Sequence, residues 1–194
     1  TIRRDNVPAV QKIQDKCLRL LFETKDLCQI RAYLCKQWTK IASGQVEFKD
    51  FIFAKEVRFG MYRKEANLPK GAVVAQRMMA SDPGYIPRYK ERIPYIIVDG
   101  QEAMTKKKMS QKDLALSPQE FVDSSLSINS EYYIRKMINP ALNRIFDAIF
   151  EINVDVWYDL MPKAKRNRIH IPRAGLAPRT GQLIASKSLA FAQN

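Results

Sequence analysis

The sequence predicts a mainly α-helical protein with a small β element, and three observations lead there. Apolar residues recur at helical spacing through residues 8–42 and again after Asn129. The run Ile93 to Val98 has instead the β-branched and aromatic content of a strand, and Asp99-Gly100 supplies the turn chemistry that stops it. A shorter apolar run, Phe51-Ile52-Phe53, is followed at once by charge.

In chain order, residues 5–22 read as an amphipathic helix. Asp5 or Asn6 can cap it, Pro8 suits its first turn, and Val10, Ile13, Cys17, Leu20 and Leu21 form one stripe. Asp26 can start a second helix whose buried stripe is Leu27, Ile30, Leu34, Trp38 and Ile41, with Gly44 as its C-terminal stop. Lys12, Lys16, Arg19, Lys25, Arg31, Lys36 and Lys40 fall on the outer faces of this pair. Such a face is ordinarily solvated; the alternative is a surface that faces phosphates. Phe51 to Val57 reads as a strand, with Lys55 on the face of Phe51 and Phe53 and with Glu56 and Arg58 on the other face. A lysine there is either a strand-end charge in water or one held toward a ligand.

Residues 67–71 read as a loop, 72–80 as a short helix stopped by Ser81-Asp82-Pro83-Gly84, and 85–91 as a loop that feeds the strand at Ile93. Pro94 sits near the start of that strand, where a missing N–H is tolerable. The run Lys106-Lys107-Lys108 reads as a polar loop, and Ser117-Pro118-Gln119-Glu120 as a capped helix start. The longest helix is expected from Asn129, with Tyr133, Ile134, Met137, Ile138, Leu142, Ile145, Phe146 and Ile149 inward and a kink at Pro140. A short helical segment, 154–160, closes the packed part.

The 194 residues suffice for one domain with a core, placed at 1–162, plus a basic tail, 163–194, rich in proline and glycine and expected to be flexible. Hydrophobic residues at 46% and charged residues at 27% point to a globular chain rather than a disordered or membrane one. No apolar run is long enough to span a bilayer and the N-terminus has no signal-peptide core, so an intracellular chain with no membrane partner is expected. It opens on Thr1, which fits a segment cut from something longer. A formal net charge of +13 costs self-repulsion unless a polyanion offsets it, which makes nucleic acid the leading partner. Solubility charge is the plain alternative, and an anionic membrane surface is the third choice.

Self-sufficient catalysis finds little support. Cys17, Cys28 and Cys35 form no Cys-x-x-Cys pair, and His170 is far from them, so they read as buried thiols rather than zinc ligands. There is no glycine-rich phosphate loop and no Ser/His/Asp arrangement. Two-metal phosphoryl transfer needs paired carboxylates on a rigid element, whereas Asp5, Asp50, Glu56, Asp82 and Asp99 are scattered. No catalytic residue, metal ligand or cofactor is assigned.

Arg3-Arg4-Asp5-Asn6 with Pro8, Leu20-Leu21-Phe22-Glu23-Thr24, Asp50 to Glu56, Glu91-Arg92-Ile93-Pro94-Tyr95, and Tyr132-Tyr133-Ile134 with Pro140 and Arg144-Ile145-Phe146 come in a shared order. In that order they resemble the thumb of family B DNA polymerases, and the Phe-Glu-Thr and Asp-Phe-Ile-Phe-Ala-Lys-Glu versions are most similar to the zeta-type, translesion branch. The resemblance runs from about residue 1 to 162 and implies a helical thumb subdomain of a DNA-directed DNA polymerase, a nuclear nucleotidyltransferase of DNA replication and repair. It implies that the chain grips double-stranded primer-template DNA through sugar-phosphate contacts, beside the palm of the same polymerase chain. Arg3, Arg4 and Lys55 are placed near the duplex by the resemblance; Arg58, Arg77, Arg88 and Arg92 are added from charge and position. The Mg2+ of the parent polymerase would belong to the palm, whose aspartates are absent here. The cysteine-rich modules that follow the thumb are absent too, so accessory subunits of the holoenzyme are carried over only as further partners of the parent. A basic protein–protein module with no nucleic-acid role is the alternative function.

Overall fold

The computed structural model describes residues 6–62, 68–100 and 114–162. Seven helices and a three-stranded antiparallel sheet are described, so the mainly helical class with a small β element is correct. Helix α1 (Pro8–Thr24) and helix α2 (Leu27–Ala42) form an antiparallel pair. The α1 cap falls on Val7, whose side chain can make no capping bond, and Asn6 reaches only its neighbour, accepting from the Val7 N–H at 3.0 Å. The Asp26 cap is as expected: its carboxylate accepts from the Cys28 N–H at 2.8 Å. Gly44 takes a positive φ of 72° beyond the end of α2, the left-handed turn that glycine makes without strain. Trp38 of α2 is fully buried and meets Tyr158 edge-on at 5.3 Å.

The strand expected over 51–57 is shorter. Phe48–Phe51 is a 3-10 turn, and β1 is Phe53–Glu56. It pairs with β2 (Arg92–Ile97) in the register Phe53↔Tyr95, Ala54↔Pro94, Lys55↔Ile93 and Glu56↔Arg92. Two residues further on, this register would set Phe51 opposite Ile97. There the Tyr133 hydroxyl donates to the Phe51 carbonyl at 2.7 Å and accepts from the Ile97 N–H at 3.0 Å. A side chain has taken the place of a ladder bond, and the backbone of 48–51 is released to turn. Strand β3 (Ala115–Leu116) pairs with Ile96 and Ile97 alone, so nothing on that side asks Pro94 for an N–H.

Helix α3 (Lys70–Ser81) lies against β1 and β2 through Gly71, where an added Cβ would meet the Val57 Cγ2 at 3.2 Å. Helix α4 (Pro118–Asp123) begins with the expected capping box: the Ser117 hydroxyl accepts from the Glu120 N–H at 3.2 Å, and the Glu120 carboxylate accepts from the Ser117 N–H at 2.6 Å. Asn129 starts the long helix, α5 (Ser130–Tyr133), which passes through a π turn (Ile134–Ile138) into α6 (Asn139–Phe150). Pro140 was expected to kink this helix. The chain instead widens by one residue just before the proline, with the Asn139 N–H bonded to the Ile134 carbonyl, and helical geometry resumes. Ile149, expected inside, is 55% exposed at the far end of α6, where the helix outruns the core.

Helix α7 (Val154–Asp159) closes the described part. It is clamped to α6 by Asp155, which accepts from the amides of Asn139 at 2.8 Å and Asn143 at 2.9 Å. Of the three cysteines only Cys17 is buried, and burial pushes its thiol up to about 12; Cys28 is exposed and Cys35 half-buried, which corrects the expectation of three buried thiols. The Lys106–Lys108 run and the tail 163–194 lie outside the described residues.

Candidate nucleic-acid interface

Strand alternation sorts the charges at the open end of β1. Phe53 and Lys55 share a face with Tyr95 and Ile93; Ala54 and Glu56 share the other with Pro94 and Arg92. Phe53 is buried and stacks with Tyr95 at 5.1 Å and Tyr133 at 5.6 Å, which makes the strand a stiff base. The exposed Lys55 ammonium stands 5.6 Å from the Phe53 ring, where the core face runs out into solvent. A Lys55 held along apolar surface with its head in water is the arrangement expected of a strand-end lysine that can reach an anion.

On the opposite face Glu56 is the centre of a basic group. Arg58 donates from Nε to its carboxylate at 2.6 Å, and the Arg58 backbone N–H donates to the Tyr62 hydroxyl at 2.9 Å. Arg92, paired across the strands with Glu56, donates to the Ala54 carbonyl at 2.9 Å. The Arg58 hydrogen bond holds the Glu56 carboxyl below the usual carboxylate range against the opposing effect of burial, and the charges of Arg58, Lys90 and Arg92 add to it. The same bond pushes the Arg58 guanidinium up. Lys90 adopts a left-handed φ of 64° in the turn before β2, with its ammonium 5.4 Å from the exposed Tyr89 ring. That turn is closed by the Glu91 carboxylate, which accepts from the Arg88 N–H at 2.7 Å and leaves the Arg88 side chain exposed.

The residues singled out from sequence therefore divide. Lys55, Arg58, Arg88 and Arg92 come from one strand pair and its turn. Arg77 is on α3, where its guanidinium donates to the Glu120 carboxylate at 3.1 Å and to the Ala115 carbonyl, tying α3 to α4 and β3. Arg3 and Arg4 lie outside the described residues. Two lysines were not singled out. Lys90 sits in the same charge run as Arg88 and Arg92, and that run was its signal. Lys70, at the first turn of α3, stands 4.3 Å from the Tyr132 ring, a long-range contact that no local pattern announces.

The outer face of α1 and α2 is partly self-neutralised. Lys12 bonds both oxygens of Asp50 at 2.7 and 2.8 Å, and Arg19 bonds Asp15 at 2.8 Å. An open groove of 290 Å³ lies between α1, α2 and the 3-10 turn, with Lys12, Tyr33, Lys40 and Asp50 among its lining residues. Among the described residues no group of three or more His, Cys, Asp or Glu side chains could hold a metal ion. No described helix is long and apolar enough to cross a membrane.

Comparison with known proteins supplies the family. The pattern of DNA polymerase family B matches residues 1–149. The chain belongs to that family. This family B chain is 46% identical over 167 residues to the DNA polymerase zeta catalytic subunit of Saccharomyces cerevisiae, a match covering 86% of the chain and 11% of the relative. It is 40% identical over 171 residues to the Arabidopsis thaliana zeta catalytic subunit, covering 87% and 9%, and 36% identical over 163 residues to that of Homo sapiens, covering 84% and 5%. The chain thus spans a small part of each relative's length. In fold it is similar to the family B DNA polymerase of Pyrobaculum calidifontis, with a TM-score of 0.58 and 18% identity over 75% of this chain and 18% of that one.

Proposed function

We propose that this chain is the thumb of a zeta-type, translesion DNA polymerase and that it grips primer-template duplex by its sugar-phosphate backbone. The observation that carries the reading is that Lys55 on one face of the β1–β2 pair, Arg92 on the other, Arg58 just past β1, and Arg88 and Lys90 in the turn before β2 all fall at the open end of a strand pair stiffened by stacked aromatic rings. Side chains of this kind bond phosphate oxygens of any sequence, which a polymerase requires and a sequence reader does not. Arg3 and Arg4 join this set by resemblance. Lys70, beside Tyr132, extends it toward α3.

In this reading the palm of the same polymerase supplies the metal-binding carboxylates and Mg2+, and the site of action is the nucleus, alongside the accessory subunits of the holoenzyme. The zeta-type assignment rests on the zeta catalytic subunits to which the chain is 36%, 40% and 46% identical. A fluorescence-anisotropy titration of the 194-residue chain with duplexes of unrelated sequence tests it. Similar affinities that fall by orders of magnitude between low and moderate salt are expected for about six phosphate contacts. Salt-independent binding, or none, overturns the reading.

The alternative, a protein–protein module, has one observation in its favour: Ile149 on α6, Val156 on α7 and Leu160 just past its end are each more than half exposed. Under that reading the charge at β1 and β2 is incidental, and its removal leaves every binding partner unaffected.

A further inference from the structure

We propose that Glu56 is an internal stand-in for a DNA phosphate: its carboxylate holds Arg58 in the absence of duplex and yields it when a backbone phosphate arrives. The inference rests on the thumb reading and concerns how that grip is regulated.

Glu56 is a singular acid in this place. It shares the outward face of β1 with no other carboxylate, and Arg58, Lys90 and Arg92 act on it together. Its distance to the Arg58 Nε, 2.6 Å, is that of a charge-assisted bond, the same bond that a phosphate oxygen would accept. The pair is also accessible, with side-chain exposures of 51% for Arg58 and 31% for Glu56, so an incoming anion can reach the guanidinium without unpacking the core. Nor does the fold need the pair. The strand is held by its ladder to β2 and by Phe53, and the Arg58 backbone is anchored separately by Tyr62. Arg77 and Glu120 differ on this point, because their ion pair joins three elements.

The chemical consequence is an exchange. A phosphate oxygen displaces the carboxylate oxygen at Nε, no covalent bond changes, and the released carboxylate is solvated by water. The carboxylate competes for Arg58, so duplex binding is weaker and release faster than the cations alone would give. A thumb that must let duplex slide by one step and then hold it again has in Glu56 a ready acceptor for the arginine it frees.

The test compares the wild-type 194-residue chain with Glu56→Gln, Glu56→Gln/Arg58→Ala and Asp123→Asn by duplex titration across a salt series, with stopped-flow dissociation and thermal melts as checks on fold. Asp123→Asn makes the same charge change on α4, where Asp123 accepts from Gln119 rather than from a cation. Expected for Glu56→Gln is an affinity gain of up to about fivefold, the scale on which an exposed pair withholds its partner. The salt slope should stay near that of the wild type, because Arg58 meets a phosphate in both bound states, and dissociation should slow. Adding Arg58→Ala should abolish both gains, and Asp123→Asn should produce neither. Unchanged or weaker binding by Glu56→Gln, with the wild type binding normally, overturns the inference and leaves the thumb reading standing. An equal gain from Asp123→Asn overturns it as a mere charge effect. A wild-type chain that binds no duplex removes the thumb reading and this inference with it.

Discussion

The Tyr133 hydroxyl donates to the carbonyl of Phe51 at 2.7 Å, joining the long helix to the entrance of β1 across 82 residues of sequence. The same oxygen accepts from the Ile97 N–H, so one side chain satisfies two backbone groups that would otherwise be buried and unpaired. Burial pushes the phenol well above its ordinary pKa, which keeps the proton needed for donation at any physiological pH.

Tyr133→Phe should therefore cost about 1–3 kcal/mol of stability, since the ring stays while a carbonyl and an N–H lose their partner in the core. The measurement is chemical denaturation at pH 7. A loss within error would show that the backbone closes the gap, with Phe51 and Ile97 pairing directly and β1 growing by one rung.

Arg77→Ala should lower stability by about 1 kcal/mol, a value reduced for its partial exposure, because the Ala115 carbonyl and Glu120 both lose a donor. Duplex affinity should change little beside the effect at β1. Denaturation and anisotropy on the same variant separate the two, and a large loss of affinity in a stable protein would place Arg77 on the duplex.

The pH dependence of this pair has a definite sign. Burial works against ionised Glu120, yet the bonds from Arg77 and Ser117 overcome it and hold its carboxyl below the ordinary 4.5. A lowered folded value means that its stabilisation is fully present above pH 4.5 and is lost as pH falls through the lower folded value. Glu120→Gln, which can keep the cap geometry, should melt lower than the wild type at pH 7, and the gap should close on acidification below pH 4.5. A gap that stays constant to pH 3 would assign the stabilisation to the cap alone.

Lys55→Glu with Arg58→Glu should reduce duplex affinity by at least tenfold at about 0.1 M salt while the melting temperature moves by only a few degrees, because both side chains are exposed and neither supports the core. Unchanged affinity in a folded variant would favour the protein–protein alternative.

Asp155→Ala should cost about 1–3 kcal/mol, because Asn139 is fully buried and loses the acceptor of its amide. Val156→Ala, one residue away at 54% exposure, should stay within about 0.5 kcal/mol. Similar losses from both would mean that α7 is held by apolar contact and not by the Asn139–Asp155–Asn143 clamp.

Much of this protein is legible before any fold is known, where the controlling interactions are local. The stripes of α1, α2 and α6, the Asp26 cap, the Ser117–Glu120 box and the stop at Gly44 all depend on residues within a turn or two of each other. The alternation that sets Lys55 apart from Glu56 is equally local. Tertiary contact settled the rest. Phe51 looks like a strand residue because its β propensity is real, but Tyr133, supplied by a distant helix, takes the bond that would have extended β1. Arg77 and Arg92 look alike as exposed positive charges along the chain, yet one meets Glu120 and the other emerges beside Glu56, because α4 and β1 happen to pack where they do. Charge tells what a surface can attract; which charges are left facing outward depends on partners that sequence spacing does not specify.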